Sequence, residues 1–218
     1  MSTTDPEAAR QATCLVVRPS TMHSRSVDPS SDSRESSPPS TGDPRPPRDA
    51  GRESEKIGLV EAILASDHYR SILELGCGTG DLARLLVERC DSYTGVDADS
   101  VALAEARRRV CDEPSPRFVP LALPLDFPSG EHQLVVLSEL LQLLEPFAVL
   151  EVARCLAAHT PCREIVVISA SDEHADGRDA ALEAFVVALS NTFEYQELAV
   201  RRHYRIDALL RTPLPASA

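Results

Sequence analysis

Ser71-Ile72-Leu73-Glu74-Leu75-Gly76-Cys77-Gly78-Thr79-Gly80-Asp81 is the stretch that decides how this chain folds. Ile72, Leu73 and Leu75 make an apolar run too short for a helix, which predicts a buried strand. Gly76, Gly78 and Gly80 end it, allowing a tight turn and a close approach of a ligand to the backbone. Asp81 to Arg89 follows, with Leu82, Leu85 and Leu86 on one helical face. A glycine cluster is informative in this strand–turn–helix setting. The spacing is GxGxG, and the position that would complete the GxGxxG of dinucleotide binders is Asp81. An acid there repels a pyrophosphate at the helix start, so the pattern predicts a ligand without phosphate.

The alternation continues outward. Upstream, Ile57, Val60, Ile63 and Leu64 give Lys56 to Ser66 helical spacing. Downstream, strands are predicted at Tyr93 to Val96, Arg117 to Leu121, Leu134 to Ser138 and Glu164 to Ser169. Leu134 to Ser138 is apolar enough to be buried on both faces. Helices are predicted from Ser100 to about Val110, with Asp99 as N-cap, from Phe147 to Ala158, and from Asp179 to Ser190. Phe193 to Val200 and His203 to Leu209 read as a final antiparallel pair. The predicted fold is α/β: a doubly wound, Rossmann-like, seven-stranded, mostly parallel sheet with a C-terminal antiparallel strand pair. Ligands of such sheets bind outside the carboxyl ends of the strands, where strand order reverses.

Two acids flank the glycine segment. Asp97 ends the second strand, 21 residues after Gly76. A carboxylate there, next to Ala98, can accept hydrogen bonds from both hydroxyls of a ribose. Glu74 interrupts an apolar strand. A buried carboxylate needs a cationic or hydrogen-bonding partner, and an amino-acid ammonium would suit it.

Composition sets limits. The chain has 218 residues and a net charge of −12, and only 4% of it is aromatic, with no Trp. That disfavours nucleic-acid binding, through charge repulsion and the lack of base-stacking rings. Only Lys56 of the 22 basic residues is a lysine, a skew read as compositional and without mechanism. Cys14, Cys77, Cys90, Cys111, Cys155 and Cys162 form no CxxC pair, so free thiols and no metal site are expected. No apolar run approaches the roughly 18 residues of a membrane span, and no secretory core is visible. A cytoplasmic location is expected. Residues 1–50 are Pro- and Ser-rich and read as a disordered tail. Residues 51–218 read as the domain. Cys14-Leu15-Val16-Val17 is the tail's apolar patch.

Glu74 to Gly80 resembles the first motif of the class I S-adenosylmethionine-dependent methyltransferases, and Val96-Asp97 their ribose-binding strand end. The resemblance covers roughly residues 55–211. A closer similarity is to the nodulation protein S (NodS-like) methyltransferases. It lies in Leu123 to Gly130, Leu134 to Leu140 and His203 to Arg211. The founding members N-methylate the glucosamine end of a chitooligosaccharide. The resemblance implies S-adenosyl-L-methionine as cofactor. It also implies contacts from Glu74, Gly76, Cys77, Gly78, Gly80, Asp97 and Ala98, with Ala122 and Leu123 bordering the adenine and Ser138 at the cofactor–substrate junction. His132-Gln133 replaces a usual Phe-Asp, Leu141-Gln142 replaces an aromatic pair, and Asp172 to Asp179 is a short substrate loop. These departures leave the cofactor site intact and put the sugar acceptor in doubt.

The chemistry expected is alignment of a nucleophile with a sulfonium methyl, together with removal of a proton from an amine. Glu139, after the fourth strand, is the candidate base, against a plain helix-start acid. Cys77 fits a small space in the turn better than it serves as a nucleophile. His68 and His203 read as structural, and Arg107-Arg108-Arg109 as a solvated helix end. A small-molecule or saccharide N-methyltransferase is the leading reading. A catalytically weak S-adenosylmethionine-binding interaction module is the alternative. Nothing in the sequence fixes the oligomeric state.

Overall fold

Helix α1 (Pro47–Ile63) leads into a seven-stranded sheet. The computed structural model describes residues 47–111, 116–124, 127–159, 162–170 and 180–213. The tail patch at Cys14 and the loop Asp172 to Asp179 lie outside them. The sheet is built from β1 (Ile72–Leu75), β2 (Tyr93–Asp97), β3 (Arg117–Pro120), β4 (Leu134–Ser138), β5 (Glu164–Ala170), β6 (Phe193–Val200) and β7 (Tyr204–Arg211). Helices α2 (Ala83–Val87), α3 (Ser100–Arg109), α4 (Pro146–Ala158) and α5 (Ala180–Leu189) connect them, with a 3₁₀ turn at Leu141–Leu143.

Strand order is β3-β2-β1-β4-β5-β7-β6, and β7 runs antiparallel to both its neighbours. The predicted mostly parallel sheet with a C-terminal antiparallel pair is therefore present. The chain leaves β3 at one edge and returns to β4 beside β1, so the order reverses between β1 and β4. Successive strand residues point to opposite faces. Ile72, Leu134, Val136, Val166 and Ile206 pack with Val60, Leu86, Leu103 and Ala106, which come from α1, α2 and α3. Leu73, Leu75, Val135, Leu137 and Val167 pack with Val152, Leu156, Leu182 and Phe185 of α4 and α5. The sheet is thus covered on both sides, which is why β4 and β5 are apolar nearly throughout.

Differences from expectation have local causes. Helix α1 starts at Pro47, inside the segment read as tail, where proline suits a first helical turn. Helix α2 keeps only five residues of the predicted Asp81 to Arg89, because the glycine turn extends as far as Leu82. Asp99 caps α3 as predicted, accepting a bond from Val101 N. His203 stands exposed just before β7, not within it. No helix among the described residues is long and apolar enough to cross a membrane.

Candidate active site

Sheet register brings three strand ends to one level. Leu75 pairs with Val96 on one side and with Leu137 on the other. The next residues, Gly76, Asp97 and Ser138, therefore finish side by side at the reversal of strand order. Two cavities open there. One, of about 410 Å³, is lined by Glu74, Gly76, Cys77, Gly78, Ser138 and Glu139, with Lys56, Glu53 and Arg52 of α1 opposite. The other, of about 450 Å³, is lined by Asp97, Ala98, Ala122 and Leu123, with Leu140, Leu143 and Leu144 as an apolar wall. They share Gly76, Ser138 and Glu139.

The glycine turn is shaped by close approach. Gly76 has φ +81°, and a Cβ placed there would lie 2.7 Å from the Ser138 carbonyl oxygen. Only glycine lets β1 and β4 end this close together. Gly80 lines neither cavity. A Cβ there would meet the Ala106 Cβ at 3.0 Å, so this glycine is needed to seat the turn on α3. Gly78 has φ +50° and faces open space, and its N–H donates to Asp97 Oδ2 at 2.8 Å.

Asp97 also accepts a bond from Asp99 N, at 2.9 Å to Oδ1. One main-chain donor thus holds each oxygen of the side chain. Each oxygen keeps further acceptor capacity for a ligand hydroxyl.

Glu74 is 1% exposed and accepts a hydrogen bond from the Tyr93 hydroxyl at 2.5 Å. Burial pushes its carboxyl up to about 7, against the pull of the Tyr93 bond and the Lys56 charge. A ligand ammonium beside it would favour the ionised form.

Cys77 packs where β2 has no side chain, since a Cβ at Gly95 would sit 3.0 Å from the Cys77 sulfur. Burial raises its thiol pKa, so it stays protonated. This agrees with a space-filling cysteine. Cys77, Cys90, Cys111 and Cys162 carry free thiols.

Glu139 departs from the helix-start alternative, because α4 begins only at Pro146. It has φ +49°, a backbone region that non-glycine residues seldom occupy. Its N–H donates to the Ile168 carbonyl at 2.8 Å, and its carboxylate accepts from Lys56 Nζ at 2.9 Å. Lys56 Nζ also lies 2.9 Å from Glu53 Oε1. Burial opposes the Lys56 charge, yet the bonds to Glu139 and Glu53 hold its pKa above the usual lysine value.

Sequence reading missed Lys56, Glu53 and Arg52. The signal was present: the chain's one lysine falls four residues before Val60, on the face of α1 that packs inward. It is 6% exposed. Asp81, the acid read as repelling a pyrophosphate, accepts from Arg109 at 2.8 Å and from Thr79 Oγ1 at 2.9 Å. It still lines the first cavity. Arg107, Arg108 and Arg109 are exposed in the last turn of α3, as read, and Arg107 also donates to the Phe118 carbonyl at 2.5 Å. His68 bonds Asp91 ahead of β1, on the sheet edge away from the cavities.

His132-Gln133 lies on that same far edge, at the start of β4. Gln133 Oε1 accepts from Arg70 N at 2.7 Å. The missing acid therefore does not touch the cavities. Leu141 of the replaced aromatic pair is buried in the core beneath the 3₁₀ turn.

Comparisons with known proteins agree with this fold. Residues 72–160 match the family model described as a methyltransferase domain. A solved Pseudomonas syringae protein described as a methyltransferase is 28% identical. The match covers 74% of this chain and 99% of that one, with a TM-score of 0.60. The fold is that of a class I methyltransferase, and its cofactor is S-adenosyl-L-methionine. The N-methyltransferase NodS of Bradyrhizobium japonicum WM9, solved with S-adenosyl-L-homocysteine, has the same fold. It gives a TM-score of 0.60 at 16% identity, covering 77% of this chain and 89% of that one. Magnesium protoporphyrin IX methyltransferase of Synechocystis PCC 6803, solved with bound S-adenosylmethionine, gives 0.55 at 18%, covering 74% and 79%. No curated protein matches the sequence. The cleft combines a glycine turn that admits no Cβ at Gly76, the buried acid Glu74, and the acid Asp97 at the wall of the second cavity.

Proposed function

We propose that this methyltransferase domain methylates an amine of a small molecule, with Glu139 taking the proton the amine must lose. The observation that carries this reading is the position of Glu139. It is held in a left-handed backbone conformation on the lip shared by both cavities. The bound cofactor supplies an electrophilic methyl group on sulfur. The chain's own part is then to hold and align. Glu74 would receive the ammonium of the methionine end. Asp97 would receive the ribose hydroxyls, and Ala98, Ala122 and Leu123 would border the adenine. Ser138 would stand at the junction, next to the methyl group. Glu139 would orient the acceptor nitrogen and accept its proton.

An amino sugar or oligosaccharide is the acceptor class suggested by the resemblance to the NodS-like methyltransferases. The structural neighbour NodS is an N-methyltransferase, which supports the nitrogen acceptor. The competing reading, a cofactor-binding module without activity, loses one of its grounds because Gln133 sits on the far edge of the sheet. Incubation with labelled S-adenosylmethionine, glucosamine-ended oligosaccharides and simple amines tests the proposal. Labelled N-methyl product is expected, with Glu139→Gln lowering turnover by about 10²-fold or more while cofactor affinity stays micromolar or better. Label on no acceptor, or unchanged turnover in the variant, would contradict it.

A further inference from the structure

We propose that Lys56 is an exchangeable latch. It holds Glu139 in the ligand-free cleft and passes to the cofactor's carboxylate on binding, which leaves Glu139 free for the acceptor. This rests on the reading that S-adenosylmethionine occupies the cleft.

The methionine end of the cofactor carries one cation and one anion. Glu74 suits the cation. The anion enters a chamber that already contains the carboxylates of Glu53, Glu74, Asp81 and Glu139. The cations lining that chamber are Arg52 and Lys56. Arg52 is exposed to water, whereas Lys56 is buried, and a charge pair is stronger where water is excluded. Lys56 is therefore the cation a carboxylate meets in the chamber.

An ammonium has three donors, and two of them already serve Glu53 and Glu139. A third carboxylate competes with those two for one positive charge. Glu139 is the easier to give up, because its side chain is 35% exposed and that of Glu53 is 24% exposed. Glu53 lies one helical turn from Lys56 and moves with it. Glu139 belongs to another element, and the Ile168 carbonyl fixes its backbone. Loss of Lys56 would leave its carboxylate in place on the lip, with its acceptor sites vacated. Cofactor binding and acceptor binding become coupled through one side chain, and such coupling is reciprocal.

The test measures binding by calorimetry on the full chain. Its probes are S-adenosyl-L-homocysteine and 5′-methylthioadenosine, which lacks the amino-acid end. Lys56→Met is expected to weaken S-adenosyl-L-homocysteine by about tenfold or more and 5′-methylthioadenosine by less than about twofold. Glu139→Gln is expected to strengthen S-adenosyl-L-homocysteine by about threefold, a gain that disappears in the double variant. Equal effects on the two probes, or a Glu139→Gln gain that survives without Lys56, would overturn the latch. If Lys56→Met does not fold, Glu139→Gln decides alone: a gain confined to S-adenosyl-L-homocysteine supports the latch, and no gain or an equal gain for both overturns it. Absence of S-adenosyl-L-homocysteine binding by the unaltered protein would overturn the reading of the cleft as well.

Discussion

Glu74 combines a structural cost with the binding role proposed for it. Its folded-state pKa is raised to about 7 from 4.5, so between these values the folded protein holds a proton that the unfolded chain releases. The contribution of Glu74 to stability is fullest below about pH 4.5, falls as pH rises from there to about 7, and is constant above. Glu74→Gln should therefore stabilise the fold by up to about 3 kcal/mol above pH 7 and by almost nothing near pH 4.5, read from denaturant melts across pH. The same change removes the partner proposed for the cofactor's ammonium. S-adenosyl-L-homocysteine should bind the unaltered protein about tenfold tighter at pH 7.5 than at pH 6, as Glu74 ionises, and the variant should show no such slope. A second prediction separates two glycines. Gly76→Ala combines a left-handed φ with a 2.7 Å clash against main chain and should cost about 2–4 kcal/mol. Gly78→Ala meets nothing within 4 Å and should cost about 1 kcal/mol, although its methyl group intrudes on the ligand's space. Equal losses in thermal melts would contradict the packing described at Ser138.

At the scale of elements, the two ends of the sheet do different work. The carboxyl ends of β1, β2 and β4 hold the cleft. The amino ends are closed by local bonds around Tyr69, Gln133, Glu164 and His132. His132 is buried, stacks on His159 with centroids 5.7 Å apart, and bonds Ser71 Oγ through Nδ1 at 3.0 Å. Burial, with the neighbouring His159 charge, lowers its pKa to about 4. The unfolded chain binds the proton more readily, so this group's contribution is complete above about pH 6.5 and is lost as pH falls towards 4. His132→Phe should flatten that acid limb of the stability profile and leave cofactor affinity unchanged, because the residue is across the sheet from the cleft. A change in S-adenosyl-L-homocysteine affinity would contradict the separation of the two ends. The strands were legible because periodicity and length agree, as in Leu134 to Ser138 and Phe193 to Val200. Helix α2 was not, because Leu82 keeps helical spacing while the chain is still completing the glycine turn.

For the whole molecule, the reversal of strand order between β1 and β4 turns residues far apart in sequence into one site. Gly76, Asp97 and Ser138 were legible since each ends a strand, and a strand end on a doubly wound sheet has only one place to be. Lys56 was legible only as a lone lysine on the inward face of α1, because its partner Glu139 is 83 residues away and α1 does not identify it. The Lys56 bonds depend on the helix that precedes the sheet and packs against it, a long-range contact that periodicity does not encode. The claim that everything else rests on is that this cleft holds the cofactor through Asp97 and Glu74. Titration of the full chain with S-adenosyl-L-homocysteine tests it most directly, alongside Asp97→Ala with its folding verified by thermal melting. One site of micromolar affinity, weakened about tenfold or more by Asp97→Ala, is the predicted result. No binding, or equal binding by the folded variant, would contradict it.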